Sequence, residues 1–390
     1  MSAGTRIVAA VAAIAAALGG AAVAHENEQG PGEGHGVGRF EHVFVIVMEN
    51  HAYGQIIGNA SAPFINAYAK SANLATNYFG VGHPSLTNYL EIVGGSNFGV
   101  VNDFSPDWHN TACQSNIETN TPSLESATVN ICPIAGSGLD AATPALDSTN
   151  EGTPAVPVQN DPLAPAPTVG KTIADQLVEA GLSWKSYQES LPPYGADRVD
   201  NSDGLVSEVT LAEPGMPKLY AVKHNPFAYF ANIQAGDHPD LSLKQAVGFD
   251  RLFADLRDGQ SPNYSLIAPN QCHDQHGRGA SEVGTGCSVD ANAIAQGDAA
   301  LSVLVGAIKA SPVWKEGRNA LVVVWDENDY GAEPNQVVTI VETNQGPKGL
   351  TSSRKYNHFS LLKTIEAGFG LGYLNHAADA GVPLMSDLFR

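Results

Sequence analysis

The sequence predicts a three-layer α/β/α sandwich around a mostly parallel central sheet, and three observations carry that expectation. Residues 42–48 (HVFVIVM) and 320–325 (ALVVVW) are unbroken apolar runs of strand length, which suits strands covered on both faces. Strand-like and helix-like segments alternate along the chain, the pattern of a sheet packed between helical layers. Each of the two runs also ends on a short polar pair, Glu49-Asn50 and Asp326-Glu327. In open α/β sheets the carboxyl ends of strands are where ligands bind.

The chain begins with Arg6, an apolar stretch from Ile7 to about Leu18, and Ala22-Val23-Ala24, so residues 1–24 read as a secretory signal peptide. That apolar core is short for a spanning helix, and no later segment approaches about 20 uninterrupted apolar residues. Export to the periplasm or outside the cell is therefore expected, without stable membrane insertion. Residues 25–38, rich in Gly and Glu, read as a flexible tail. A single catalytic domain is expected over 39–390. After the first strand, helices are predicted at 62–71 and just after Ser85, where an apolar stretch runs into Gly94-Gly95. Residues 102–168 lose periodicity and fill with Pro, Thr, Asn, Asp and Ser, which reads as a surface insertion. Beyond it come a helix at 169–180, strands at 183–187 and 264–268, a long helix near 290–309, and strands at 320–325 and 336–341.

The formal net charge of the 390 residues is −20, which repels nucleic acid and anionic membrane as bulk partners. Any phosphate site must be locally positive against that field, through metal, histidines and helix N-termini. Among the four cysteines, Cys113 with Cys132 and Cys272 with Cys287 are sequence neighbours able to close loops in an oxidising compartment. Four cysteines allow three connectivities, so the pairing stays open. A zinc site is the competing use, but no C-x-x-C pair exists.

Carboxylates gathered at the mouth of a hydrophobic sheet repel one another unless a cation sits between them, so Glu49-Asn50 and Asp326-Glu327 point to metal. The plainer reading is that either pair caps a helix or turn. Ser85, in Gly82-His83-Pro84-Ser85-Leu86-Thr87-Asn88-Tyr89, enters a helix. It reads as an N-cap, or as a nucleophile at the positive end of a helix. Phosphate esters resist attack because they are anionic, and a cation beside a deprotonated hydroxyl answers that difficulty. Oxygen donors favour one hard divalent ion, Ca²⁺, Mg²⁺ or Mn²⁺.

Glu49-Asn50, Gly82-His83-Pro84-Ser85 with Asn88-Tyr89 and Gly94-Gly95, Lys223-His224-Asn225-Pro226-Phe227, Pro269 to His276, Trp325-Asp326-Glu327 and Tyr356 to Leu362 occur in this order. As an ordered set they resemble the phosphoesterase family of secreted acid phosphatases and bacterial phospholipases C, which is alkaline phosphatase-like in fold. The resemblance spans about Phe40 to Tyr373 and implies a role for each matching residue. Ser85 is then the nucleophile and a metal ligand, with Glu49, Asn50, Asp326 and Glu327 completing the metal site. His224, His276 and His358 lie near the phosphate, Asp274 orients or coordinates, and Asn88 donates to the substrate. His83 either takes part or shapes the turn.

Two departures matter. Thr87 stands where relatives often carry proline, which makes it the other nucleophile candidate. The stretch after Glu327 lacks a Gly-Gly then Asp-His-Val signature, which favours phosphatase over phospholipase; Asp329 reads as a turn residue. The leading expectation is an exported acid phosphomonoesterase acting on a small phosphorylated substrate through a phosphoserine. A phospholipase C-type phosphodiesterase is the alternative, and a non-enzymatic metal- or phosphate-binding protein is the third class. Oligomeric state is not legible.

Overall fold

The computed structural model describes residue 1 and residues 36–100, 102–109, 113, 131–135, 170–191, 219–277, 291–329 and 334–390. The expected signal peptide, most of the tail and most of the 102–168 insertion lie outside them. The strands are β1 (His42–Met48), β2 (Asn73–Phe79), β3 (Trp184–Gln188), β4 (Ala246–Gly248), β5 (Tyr264–Ala268), β6 (Asn319–Trp325), β7 (Gln336–Thr343), β8 (Thr351–Ser352) and β9 (Tyr356–Asn357). They form one sheet in the order β4-β3-β5-β1-β6-β7-β2-β8, with β9 also on β2. From β4 to β6 every pairing is parallel. β7 runs antiparallel to β6 and β2.

All of β5 and β6, and β1 beyond His42, are buried. Side chains alternate between the faces of a strand, so both faces of the sheet centre must be covered. The helices are α1 (Tyr53–Ile56), α2 (Pro63–Ser71), α3 (Ser85–Gly94), α4 (Ile173–Glu179), α5 (Ala231–Ala235), α6 (Phe249–Asp258), α7 (Ala291–Ala310), α8 (Pro312–Lys315) and α9 (His358–Phe369). α3 packs on α4 and α9, while α2, α6, α7 and α8 pack among themselves. One group on each face gives the three layers. Within α7, Ala293–Ala310 is long and apolar enough by composition to cross a membrane, yet 44 % of it is buried in its helical layer.

The register of the central strands places the acids. β1 and β6 pair in parallel up to Met48 opposite Trp325, so the next residues, Glu49 and Asp326, emerge side by side. The Asp326 amide donates to the Met48 carbonyl at 3.0 Å, and the Glu49 amide to the Asp274 carbonyl at 2.8 Å. The loop after β2 approaches the same edge closely enough that a Cβ on Gly80 would lie 2.7 Å from the Asp326 carbonyl oxygen. α3 stops at Gly95, whose φ of 71° is left-handed and whose Cβ position lies 2.5 Å from the Leu374 carbonyl oxygen; glycine meets both demands.

Boundaries follow local chemistry. α4 begins late relative to the expected 169–180 because Thr172 and Asp175 form a capping box that fixes its start. β7 runs on to Thr343 because it pairs back along β6, Ala320 opposite Thr343. Cys113 and Cys132 form a disulfide with a Cα–Cα distance of 5.5 Å. Cys272 is disulfide-bonded as well, and Cys287 lies outside the described residues.

Candidate active site

Ser85 occupies the first turn of α3, with Pro84 as N-cap and no side-chain capping bond. Its hydroxyl is turned instead onto two carboxylates, Oγ lying 3.1 Å from Glu49 Oε2 and 3.1 Å from Glu327 Oε1. The N-cap reading is thereby replaced by contact with both acidic segments. Thr87 Oγ1 donates to the Pro84 carbonyl at 2.8 Å and helps close the turn. His83 Nδ1 lies 2.6 Å from Glu327 Oε2, so Glu327 is gripped from both ends of the His83-Pro84-Ser85 turn. Asn88 braces the same loop: its Oδ1 accepts from the Val81 and Gly82 amides at 2.9 and 3.1 Å, and its Nδ2 reaches Gly82 O and Glu327 Oε2 at 2.8 and 3.3 Å.

On the other side of Glu49 lies His224, with Nε2 3.0 Å from Glu49 Oε1 and Nδ1 3.2 Å from Asp274 Oδ2. These are charge contacts rather than aligned hydrogen bonds, since Glu49 Oε1, His224 Nε2 and Asp274 Oδ2 have no hydrogen-bond partner. The ring stacks on Tyr89 of α3, centroids 5.1 Å apart and planes within 9°. Asp274 Oδ1 accepts from the His276 amide at 2.7 Å. His276 stands beside His224, with ring centroids 6.1 Å apart.

His358 is placed differently from the other histidines. Its Nε2 lies 2.6 Å from the Asp326 carbonyl oxygen and its Nδ1 3.1 Å from the Tyr78 hydroxyl. Both ring nitrogens are therefore engaged with protein, and burial lowers its pKa to about 4 despite the bond to Asp326. The ring thus links Tyr78 to the carbonyl of Asp326, at the base of the carboxylate cluster. Asn50 is half-buried next to Glu49. Asp329 is exposed and accepts from Gln55 Nε2 at 2.6 Å, away from the carboxylate cluster.

Electrostatics divide the acids. For Glu49 burial would raise the pKa, but His224 outweighs it and the group is held below the usual carboxylate range. For His224 burial opposes charge, while Glu49 and Asp274 raise its pKa to about 9. Asp274 is raised, chiefly by burial. Asp326 and Glu327 are both pushed well above the carboxylate range, by burial first and then by the neighbouring Glu49 charge.

Both Asp326 carboxylate oxygens are buried with no hydrogen-bond partner. Such atoms are costly to bury unless something positive satisfies them, so the donor set fits a hard divalent cation held by Asp326, Glu49, Glu327 and the Ser85 hydroxyl, with Asn50 alongside. Among the described residues no three His, Cys, Asp or Glu side chains already converge as a cage. Glu49 and Glu327 are instead drawn onto Ser85, His224 and His83, and would turn from them to bind an ion.

Fold and site together define an α/β enzyme of the ester-hydrolase class. The chain belongs to the Phosphoesterase family, which matches residues 59–372, and is a phosphoric ester hydrolase. It is 26 % identical over 352 residues to a phosphatidylinositol-3-phosphatase of Mycobacterium tuberculosis, spanning 90 % of this chain and 83 % of that protein. It is 24 % identical over 347 residues to a probable acid phosphatase of Kluyveromyces lactis, spanning 88 % of this chain and 62 % of that one. A solved protein of the alkaline phosphatase superfamily from Vibrio parahaemolyticus aligns with TM-score 0.46 and 14 % identity over 88 % of this chain and 69 % of its own.

Two residues escaped the sequence reading. Lys223 adjoins His224 in the Lys223-His224-Asn225-Pro226-Phe227 motif, where the histidine is the more conspicuous residue. Asp103 lay inside a stretch read as surface insertion, where nothing local distinguished it. Both reach the start of α3, Asp103 bonding the Leu86 amide and Lys223 bonding Asp103.

Proposed function

We propose that this chain is an exported, metal-dependent acid phosphatase that hydrolyses small phosphate monoesters through a phosphoserine at Ser85. The observation that carries this reading is the Ser85 hydroxyl lying 3.1 Å from both Glu49 and Glu327. Ser85 Oγ attacks phosphorus in line, forming one P–O bond as the bond to the departing alkoxide breaks. Glu49 and Glu327 are the bases in reach of the serine proton. His224, protonated between Glu49 and Asp274, gives a proton to the leaving oxygen. Water then cleaves the phosphoserine. A bound divalent ion supplies charge neutralisation for the phosphoryl oxygens and acidifies the serine hydroxyl. His83 and Asn88 hold the turn that aims Ser85, Asp274 orients His224, and His276 lies at the edge of the same cluster.

The relatives support the monoester reading over the phospholipase C-type alternative, since both are phosphatases by name. Export is supported by the Cys113–Cys132 disulfide, which persists in oxidising compartments. The test is hydrolysis of p-nitrophenyl phosphate by the mature protein, with and without divalent metal, from pH 4 to 9, beside Ser85→Ala. Metal-dependent turnover that vanishes in the variant is expected. Turnover of a phosphocholine diester alone would favour the phospholipase reading, and silence on both a binding protein.

A further inference from the structure

Asp103 makes two contacts that join the nucleophile's helix to a cation. Its Oδ1 accepts from the Leu86 amide, next to Ser85, at 3.0 Å. Its Oδ2 accepts from Lys223 Nζ at 3.0 Å. Leu86 is one of the first-turn residues whose amide has no partner within the helix, so Asp103 caps α3 from 17 positions downstream in the chain. The same carboxylate fixes where the lysine ammonium stands relative to Ser85.

Lys223 is an unusual lysine, its side chain only 4 % exposed. Buried lysines are rare unless paired. A second contact points the same way: Nζ lies 3.3 Å from His276 Nε2, while His276 Nδ1 faces the Gly277 carbonyl at 2.7 Å. With Nδ1 donating to that carbonyl, Nε2 is the acceptor for the ammonium. His276 in turn stands beside His224, with ring centroids 6.1 Å apart, which ties the ammonium to the histidine that contacts Glu49. The chain as a whole carries −20, which makes a fixed local cation the more necessary for an anionic ligand. Because Asp103 already takes the Leu86 amide, that helix donor is not available to phosphate.

We propose that Lys223 is the phosphate-binding cation of this site, contacting the oxygens of the transferred phosphoryl group, and that Asp103 is a positioning residue that sets both Lys223 and the Ser85 turn. The proposal rests on the phosphatase reading above. An ammonium is a compact donor of three protons, suited to phosphate oxygens as a point charge. Asp103 and His276 hold it in place before the ligand arrives, so little ordering remains for binding.

The test separates phosphate binding from turnover. The affinity for inorganic phosphate is measured by calorimetry, in the presence of metal, for Ser85→Ala alone and for Ser85→Ala combined with Lys223→Met, Lys223→Arg or Asp103→Asn. In the Ser85-intact background, kcat and KM for p-nitrophenyl phosphate are measured for the same three substitutions. Lys223→Met is expected to weaken phosphate at least tenfold and to raise KM, with Lys223→Arg recovering most of the loss. Asp103→Asn, at a position 26 % exposed, is expected to raise KM less and to lower kcat as the Ser85 turn loosens. Phosphate affinity and KM unchanged within twofold in Lys223→Met would overturn the proposal. So would Lys223→Arg as damaging as Lys223→Met, which marks a packing role. If Lys223→Met does not fold, an Asp103→Asn protein with unchanged KM and kcat overturns it equally. Should the unsubstituted protein hydrolyse no phosphomonoester, the phosphatase reading falls, while the calorimetry still reports whether Lys223 binds phosphate.

Discussion

Glu327 joins Ser85 to His83: one of its oxygens lies 3.1 Å from Ser85 Oγ and the other 2.6 Å from His83 Nδ1. A carboxylate held on both sides of a three-residue turn fixes where the hydroxyl points without any capping bond to the helix. It does so while buried close to Glu49, an arrangement that resists ionisation.

Glu327→Gln should therefore separate activity from stability. Losing a proton acceptor and metal donor is expected to lower kcat by about 10²–10⁴-fold. Removing one of several crowded buried carboxylates relieves repulsion, so the metal-free protein should be at least as stable. Thermal unfolding in chelator beside steady-state kinetics checks both. A marked drop in Tm without loss of kcat would mean that Glu327 is purely structural.

Metal binding should release protons. Asp326 and Glu327 have raised pKa values, so they retain protons to higher pH than ordinary carboxyls, and an ion must displace them. Affinity for Mg²⁺, Mn²⁺ or Ca²⁺ is expected to tighten as pH rises from 5 to 8. Calorimetry in two buffers of different ionisation enthalpy should show net proton release. Equal heats in both buffers would argue against binding at these carboxylates.

His358 ties stability to pH. Its folded pKa of about 4 lies below its ordinary 6.5 because burial disfavours the imidazolium. The unfolded chain thus takes up the proton first. This contribution is complete above the ordinary value and is lost as pH falls toward the folded one, on the order of 3 kcal/mol in all. Urea unfolding at pH 5 and 7.5 should show a smaller pH difference in His358→Gln than in the unsubstituted protein. Identical differences would remove His358 from the account.

Thr87→Val tests the other hydroxyl. Its bond to the Pro84 carbonyl should contribute about 0.5–1.5 kcal/mol of stability, and kcat should fall less than tenfold. A loss as deep as that of Ser85→Ala would transfer the nucleophile's role to Thr87.

What the sequence revealed follows from how its signals are carried. β1 beyond His42 and β6 from Ala320 are buried on both faces, so they show as continuous apolar runs, and the residues after them are marked as strand-end acids by position alone. β2 (NLATNYF) has a mixed burial pattern, and β4, β8 and β9 are only two or three residues long. Such segments pair because the sheet edge is there to receive them, which local pattern does not report. α9 (HFSLLKTIEAGF) buries its Ser360, Lys363, Thr364 and Glu366 along with its apolar residues, so its polar positions break the apolar pattern without marking a solvent face. The site divides similarly. Ser85 and the acids were legible as motifs, but the direction of the His358 ring depends on Tyr78 and the Asp326 carbonyl, which meet only in the fold. Asp103 became visible only through its contacts with Leu86 and Lys223.

The most direct measurement is acid quenching of the metal-loaded protein during turnover of a phosphomonoester, followed by peptide mapping for covalent phosphate. Phosphate on Ser85, present in the unsubstituted protein and absent from Ser85→Ala, is the expected result. Phosphate on Thr87 or on a histidine, or full turnover by Ser85→Ala, would contradict it.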